Sequence, residues 1–359
     1  MYPDFLAQFG ITNPDGQFIY QPAHGTSNSA ATAWFTPLTD LGLLTVAGED
    51  AASFLHGQLT NDIKSLAPNH CQWAGYCSAK GRLLASFLHW QTLETQWLQL
   101  DRALLPAIQK RLSMFVLRAK AKLQDASNDY LALGVFGADA AAKLSPYLAS
   151  QQLTLPQQAY QQTSNEHLTV QALPWGWQLI VHNDAAEALW QGLQAAGLQA
   201  THGSAWASER IRAGIAHIVA ATQDQYVPQM VNFELVGGVN FKKGCYPGQE
   251  VVARSQYLGK LKRRMAVVRS SQALQVGADV YAAAQGEHSS SPNLSSPIGT
   301  IVNAAACAHA PDQWVGLVEA PLELHTAVLH AHQADGPVLT VLPLPYAIPA
   351  NEPVQKPNL

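Results

Sequence analysis

Charged residues are scarce in this chain, because Asp, Glu, Lys and Arg together make up only 13% of its 359 residues. Hydrophobic residues make up 48%, so the composition excludes an intrinsically disordered chain and provides apolar material for a sizeable core. The formal net charge of −4 excludes a global basic field of the kind that binds nucleic acid without regard to sequence. At roughly 150 residues per domain, the length predicts two to three domains.

Long apolar runs and a secretory leader are also missing. No stretch approaches the ~18 consecutive apolar residues that a membrane-spanning helix needs. Residues 1–5 lack the basic and apolar regions of a signal peptide. Four cysteines in so long a chain do not make a disulfide framework. We therefore expect a cytoplasmic protein that has no membrane partner.

Hydrophobic spacing predicts helices and strands along most of the chain. We expect an amphipathic helix over residues 51–67 and another helix over 207–221. Residues 131–201 predict the β-α-β-β-α-β order of a ferredoxin-like domain. Short β-like segments between Gly, Ser and Pro turns after residue 265 predict a small all-β barrel or sandwich.

Clean alternation over residues 117–123 predicts a half-buried strand whose wet face carries Arg118, Lys120 and Lys122. Two interpretations of these three cations stay open. They form a solvated sheet face that discourages edge pairing, or they form a wall that faces an anionic ligand.

The segment that we call the basic segment, residues 242–264, has the highest density of charge. It holds seven Lys or Arg residues and one acid, Glu250, for a local net charge of +6 (7 − 1). This concentration predicts an anionic partner such as a polyglutamate tail, a phosphate or an RNA backbone. The segment is not a phosphate-binding loop, because the Gly-x-x-x-x-Gly-Lys-Ser/Thr order is absent.

Cys245 lies within the basic segment, where Lys242 and Lys243 favour its thiolate over its thiol. It is therefore a candidate nucleophile, redox centre or soft-metal ligand, and the alternative is a small buried hydrophobic residue. The other cysteines lack the close C-x-x-C spacing of a zinc or cluster site, so we predict no metal site made by this chain alone.

Five stretches of the sequence resemble the signature of the YgfZ family, whose members are folate-binding, tRNA-modifying proteins. The most specific is the Lys-Gly-Cys-Tyr-x-Gly-Gln-Glu core at residues 243–250. The family is related in fold to the aminomethyltransferase (T-protein) of the glycine cleavage system. The resemblance runs from about residue 36 to residue 347 and is carried by residues 54–62, 77–82, 226–232, 237–250 and 342–346.

The resemblance implies an α+β fold of aminomethyltransferase type, a ring of three subdomains around a folate pocket. Two of the subdomains are α+β (ferredoxin-like) and the third is a C-terminal antiparallel β-barrel. The implied boundaries are a variable extension over 1–30, a split folate-binding subdomain over 31–128 and 209–262, a ferredoxin-like subdomain over 129–208, a barrel over 263–347 and a tail over 348–359.

The resemblance also implies roles for single residues. Cys245 stands at the position of the family's signature cysteine, and Trp206 matches a tryptophan that the family assigns to folate binding. Leu41 replaces the partner tryptophan, and a leucine can pack against a pterin but cannot stack as a ring. With these residues, the expected site for tetrahydrofolate or a derivative includes Lys242, Lys243, Tyr246, Gln249, Glu250 and Arg254. Cations from 118–122 or 242–264 are expected near the glutamate carboxylates of the folate.

The implied function is support for the assembly or maintenance of iron–sulfur enzymes, including those that thiolate tRNA, with a transient cluster and none stably bound. Aminomethyltransferases carry a catalytic carboxylate where this chain has Leu84 and Ala85, and neither residue can accept a proton. This difference argues against the glycine-cleavage reaction. Two alternatives remain: a folate-dependent one-carbon transferase that uses Glu250 or Asp62, and a protein that binds tRNA directly through the basic segment.

Overall fold

The computed structural model describes residues 4–14, 16–21, 31–257, 261–282, 296–307 and 310–349. Much of the predicted extension over 1–30 and most of the predicted tail over 348–359 lie outside these residues, as does Lys260. Two compact units make up the chain: unit 1 holds residues 1–55, 63–72 and 87–206, and unit 2 holds 56–62, 73–86 and 207–359. None of the helices in the described ranges has the length and apolar character needed to cross a membrane.

The described residues form six α-helices. They are α1 Ala51–His56, α2 Leu105–Ser113, α3 Ala140–Ser150, α4 Asn183–Ala195, α5 Gly203–Arg212 and α6 Gln249–Tyr257.

The same residues form nineteen strands. In chain order they are β1 Gly10–Thr12, β2 Phe18–Tyr20, β3 Trp34–Pro37, β4 Leu41–Ala47, β5 Cys71–Cys77, β6 Leu83–Thr92, β7 Thr95–Asp101, β8 Lys122–Asp125, β9 Tyr130–Phe136, β10 Gln162–Ser164, β11 Leu168–Leu173, β12 Gly176–His182, β13 Gln199–Ala200, β14 Arg263–Ser270, β15 Asp279–Ala282, β16 Gly299–Cys307, β17 Ala310–Pro321, β18 Leu329–Ala331 and β19 Val338–Leu342.

Two β-sheets contain most of the strands in the first 206 residues. One has the strand order β5-β6-β7-β4-β8. The other has the order β10-β11-β12-β9-β3-β13, and its pairs are antiparallel except for the parallel pair β13–β3. The elements β9, α3, β11, β12, α4 and β13 follow the predicted ferredoxin-like order. This prediction is therefore confirmed.

Strand β3 lies between β9 and β13 in the second sheet, a position that the sequence did not indicate. Its Phe35 is fully buried and meets the ring of Trp190 on α4 edge-on, with the ring centroids 4.8 Å apart. Burial of these two large aromatic side chains favours this placement of the strand, because both contribute to the same apolar core.

The C-terminal segment is a closed barrel with the strand order β14-β17-β16-β15-β18-β19. Its interior is apolar and includes the fully buried Val268, Ile301, Val318 and Leu329. The prediction of an antiparallel β-barrel is confirmed, and closure of the sheet excludes the sandwich alternative.

The predicted helix over 51–67 is wrong beyond His56, where α1 ends. Leu59 and Ile63 match helical spacing and are buried, but the chain around them is irregular. Leu59 forms an isolated β-bridge to Tyr76. The carbonyls of His56 and Leu59 accept hydrogen bonds from a lysine side chain, so partners distant in sequence replace those of a continuing helix.

The predicted strand over 117–123 is also wrong, because β8 begins only at Lys122. Leu117 is 87% exposed and has a left-handed φ of 48°, so it is part of a turn and not of a buried strand face. Lys120 pairs with the Glu49 carboxylate at 2.8 Å on the surface. These cations therefore do not form one face of a strand.

The predicted helix over 207–221 is displaced, since α5 occupies Gly203–Arg212. Gly214 follows it with a left-handed φ of 68°, a conformation that stops a helix and favours glycine. A side chain at this position would also meet the ring of Tyr346, whose hydroxyl donates to the Gly214 carbonyl at 2.6 Å.

Candidate functional site

Two segments of unit 2 are joined by buried hydrogen bonds and position the candidate site. We call residues 237–246 the thiol loop and residues 56–62 the supporting loop. The Asn61 amide donates to the carbonyl at position 237 at 2.7 Å, and the Thr60 hydroxyl donates to the carbonyl at position 238 at 2.6 Å. In return, the Asn240 N–H donates to the Thr60 carbonyl at 3.0 Å. The two loops therefore form one hydrogen-bonded layer.

Lys243 points inward from the thiol loop and is only 8% exposed. Its ammonium group donates to the Leu59 carbonyl at 2.7 Å and to the His56 carbonyl. It also lies 4.9 Å from the ring centroid of Tyr246, within the range of a cation–π interaction. Lys243 therefore fixes the supporting loop against the thiol loop.

Burial lowers the pKa of Lys243 to about 8, because the low-dielectric surroundings disfavour the ammonium form. The negative charges of Asp62 and Cys245 act in the opposite direction and raise the pKa of Lys243. Asp62 in turn contacts the His56 ring, with Nδ1 3.1 Å from Oδ1. The Lys243 ammonium group is therefore influenced by the charges of both Asp62 and Cys245.

Cys245 is exposed, whereas the other three cysteines of the chain are buried. Burial raises the pKa of the Cys71 and Cys77 thiols, because desolvation disfavours their thiolates. Cys307 accepts a hydrogen bond from the Arg212 guanidinium at 3.2 Å. Of the four thiols, that of Cys245 is the one that an external molecule can reach.

Gly248 lies between the thiol loop and α6, which begins at Gln249, and its backbone packs tightly against neighbouring residues. Gly248 has a left-handed φ of 79°, and a Cβ there would lie 2.3 Å from the Ser78 carbonyl and 2.7 Å from Gly81. The turn at Gly81 therefore packs directly on this glycine. Glu250 and Arg254 are exposed on α6.

The cations of the basic segment do not all face the solvent. The Arg264 guanidinium pairs with the buried Glu234, and Arg263 donates to both oxygens of Glu319 at 2.5 and 2.7 Å. Lys243 is the third cation that bonds inside the protein. Because these three charges are neutralised or buried, they contribute little to an external field. The cations of this segment that are exposed in the described ranges are Lys242, Arg254 and Lys262.

Trp206 and Leu41, the expected folate-site residues outside the basic segment, belong to unit 1 and are buried. Trp206 is 3% exposed, and a Cβ on Gly134 would lie 2.5 Å from its indole. Its ring centroid lies 5.5 Å from that of Trp175, which is half-buried. Leu41, at the start of β4, is 8% exposed.

At the positions of the aminomethyltransferase carboxylate, Leu84 and Ala85 are buried in β6. Across the described ranges, no three His, Cys, Asp or Glu side chains come together as a metal site. His56 is the residue that the sequence analysis missed. Its segment carries the family resemblance, but its contacts come from tertiary packing.

Comparison with known proteins places this fold and sequence among relatives. Residues 31–243 match the family described as the GCVT N-terminal domain. The chain is 32% identical over 328 residues to the tRNA-modifying protein YgfZ of Photorhabdus laumondii, and the alignment covers 90% of this chain and 95% of that protein. It is 31% identical over 249 residues to the YgfZ protein of Vibrio vulnificus, covering 69% of this chain and 74% of that protein.

Among solved structures, the aminomethyltransferase T of the glycine cleavage system from Bartonella henselae has a similar fold. The TM-score is 0.69 at 16% sequence identity, and the match covers 88% of this chain and 86% of that one. At this level of identity the likeness concerns the fold alone.

Proposed function

Because this chain belongs to the YgfZ family, we propose that it is a folate-binding accessory protein that supports tRNA modification and uses Cys245 as a reactive thiol. The observation that carries the proposal is that Cys245 is exposed in the thiol loop, while the buried Lys243 holds this loop in place. An exposed thiol two residues from a lysine ammonium group is accessible and has cationic surroundings, as nucleophilic cysteines do. Relatives that match most of the chain carry the name tRNA-modifying protein, which supports the pathway.

The proposed clients are iron–sulfur enzymes, including those that thiolate tRNA. The cluster, or the sulfur that it needs, is cargo and not a resident group of this chain. Exposure of Cys245 favours a step on a partner protein, since a buried thiol such as Cys77 could not reach one. The proposed location is the cytoplasm.

Folate binding is part of the proposal, and the buried state of Trp206 changes the expected roles. At 3% exposure Trp206 does not fit as a stacking platform for a pterin. Trp175 fits better, because it is half-buried and lies directly against Trp206. We therefore assign Trp206 the role of supporting Trp175 within unit 1. Separately, the exposed Lys242 and Arg254 of unit 2 are available to an anionic group. Bound folate would supply a one-carbon carrier.

An accessory role is preferred over one-carbon transfer because Leu84 and Ala85 provide no proton acceptor. Asp62, one alternative carboxylate, is already paired with His56 at 3.1 Å. Direct tRNA binding through the basic segment is disfavoured for a different reason. Two of its arginines are paired inside the protein, so a steep salt dependence of tRNA affinity is not expected.

The thiol role is tested by complementation in a bacterial strain that lacks its own YgfZ, with the thiolated fraction of tRNA measured by mass spectrometry. We expect Cys245→Ser to lose most of the restored thiolation. Cys307→Ser is the matched control, because a hydroxyl there still accepts the hydrogen bond from Arg212. Full restoration by Cys245→Ser would contradict the proposed thiol.

Folate binding is tested by calorimetric titration of tetrahydrofolate and its 5-formyl analogue into the purified protein. We expect Trp175→Ala to weaken binding at least tenfold. Trp177→Phe is the control, since that indole is committed to the Pro156 carbonyl at 2.9 Å. Absence of binding to the unaltered protein would remove folate from the proposal and leave a folate-independent thiol protein.

A further inference from the structure

The supporting loop contains a histidine–carboxylate pair that no role assigned so far explains. His56 Nδ1 lies 3.1 Å from Asp62 Oδ1, and the two side chains are 20% and 24% exposed. The Asp62 N–H is itself held by the Asn61 side chain at 2.8 Å. The contact lies outside hydrogen-bond geometry, so the Asp62 carboxylate acts on the imidazole ring through its charge. That charge favours a proton on Nδ1, which makes Nε2 the basic nitrogen of the ring.

The Nε2 atom of this imidazole faces the thiol loop. A Cβ built on Gly244 would lie 3.7 Å from His56 Nε2. This distance is an ordinary van der Waals contact, so His56 Nε2 lies close to the backbone of the thiol loop at Gly244. Cys245 is the next residue, and its thiol is exposed.

Lys243 also contacts His56, through the backbone of that residue. Its ammonium bonds the His56 carbonyl and is in electrostatic contact with both Asp62 and Cys245. The Asp62 carboxylate thus lies at the His56 ring and the Lys243 ammonium at the His56 backbone carbonyl. A negative thiolate at Cys245 would be balanced by an imidazolium on one side and an ammonium group on the other.

We propose that His56 is the base that activates the Cys245 thiol and that Asp62 is the positioning residue that orients His56. The Sγ–H bond breaks, the proton moves to His56 Nε2, and the electron pair stays on sulfur as the thiolate. The inference rests on the proposed reactive role of Cys245 and adds the groups that make it reactive. The arrangement is the general one for nucleophilic catalysis: a nucleophile, an adjacent base and a third group that holds the base.

Iodoacetamide alkylation of the full chain tests this assignment directly. In that reaction the Cys245 thiolate forms a C–S bond and the C–I bond breaks with release of iodide. Because the other three cysteines are buried, one fast adduct located by peptide mapping reports Cys245 alone. Cys245→Ser abolishes that adduct and identifies the fast phase.

We expect His56→Gln to slow alkylation at pH 7 roughly tenfold, because the thiolate fraction falls about tenfold when the pKa of a thiol rises by one unit. The rate of the variant should rise more steeply between pH 6 and pH 8 than that of the unaltered protein, because its thiol has no base. Asp62→Asn should show a smaller loss in the same direction. A role in folding alone would not change this pH profile.

The chain contains a matched control in a second histidine–carboxylate pair, His182 and Asp184, whose side chains are 3.2 Å apart and more exposed. His182→Gln should leave the alkylation rate of Cys245 unchanged. If His56→Gln reacts at all four cysteines, the variant is unfolded, and the rate of Asp62→Asn then decides the question.

Equal rates and equal pH profiles in the unaltered protein and the folded His56 or Asp62 variant would overturn the assignment. That result is distinguishable from failure of the proposed function. If Cys245→Ser still loses tRNA thiolation, the thiol is required and only its activation by His56 is wrong. If Cys245→Ser restores thiolation while alkylation depends on His56, the triad stands and the function of the thiol must be sought elsewhere.

Discussion

Replacement of Asn61 by Asp exchanges an amide for a carboxylate of nearly the same shape at the junction of the two loops. The Asn61 amide nitrogen donates to the Trp73 carbonyl and to the Gly237 carbonyl, both at 2.7 Å, and its oxygen accepts from the Asp62 N–H at 2.8 Å. The residue is 8% exposed. In the Asp variant the group that faces the two carbonyl oxygens is an acceptor that cannot donate.

The cost follows from the two carbonyls that lose their donor. Each unsatisfied buried acceptor costs about 1–3 kcal/mol, so Asn61→Asp should lower the free energy of unfolding by about 2–6 kcal/mol. The loss should shrink on acidification, because a protonated Asp can donate to one of the carbonyls. Relative to the unaltered protein, stability of the variant therefore falls as the pH rises.

Urea unfolding at neutral pH measures this loss, and alkylation of Cys245 measures the accompanying release of the thiol loop. Asn240→Asp is the matched control, because the Asn240 side-chain oxygen accepts from the Lys242 N–H at 2.8 Å and a carboxylate can do the same. Equal urea midpoints for the Asn61 and Asn240 variants would refute the argument that donation by Asn61 joins the loops.

Three further predictions concern buried groups outside the thiol loop. Burial lowers the pKa of His89 to about 4. Acidification from pH 6.5 to 4 protonates His89 more readily in the unfolded chain and should therefore lower the free energy of unfolding by about 3 kcal/mol. Urea titrations at the two pH values should find a smaller loss in His89→Gln. Arg264→Leu leaves the Glu234 carboxylate buried without its cation and should lower the free energy of unfolding by about 3–5 kcal/mol, and an unchanged urea midpoint would contradict the pairing. Gly134→Ala places a Cβ 2.5 Å from the Trp206 indole and should cost about 1–3 kcal/mol in thermal unfolding, with a shifted tryptophan emission.

The site organises cations in two ways that have different consequences for partners. Lys243 and Arg264 stabilise the protein from within, and their removal should affect folding. Lys242, Arg254 and Lys262 are exposed and available to an anionic ligand or partner. Substitution of the exposed group should therefore change binding and leave stability nearly unchanged, because isolated surface charges contribute little to folding.

The sequence by itself determined the elements whose signal is local. Strands of the barrel and of the ferredoxin-like sheet follow from runs of apolar residues between turns, because side chains alternate along a strand. Cys245 and its neighbour Lys243 were identified from their adjacency in the chain. Local patterns also misled, since Leu59 and Ile63 are buried at helical spacing without a helix, and the alternation around Leu117 lies in an exposed turn.

Tertiary structure decided which polar groups meet. Lys243 bonds a carbonyl 187 positions away in the sequence, so its inward direction depends on packing of the thiol loop against the supporting loop. The same packing brings His56 Nε2 to Gly244, and Arg264 reaches Glu234 across 30 positions. The position of strand β3 in its sheet is favoured because it buries Phe35 against Trp190. Local patterns determine which face of an element is apolar. The partner of a desolvated charge depends on which residues the complete fold brings next to it.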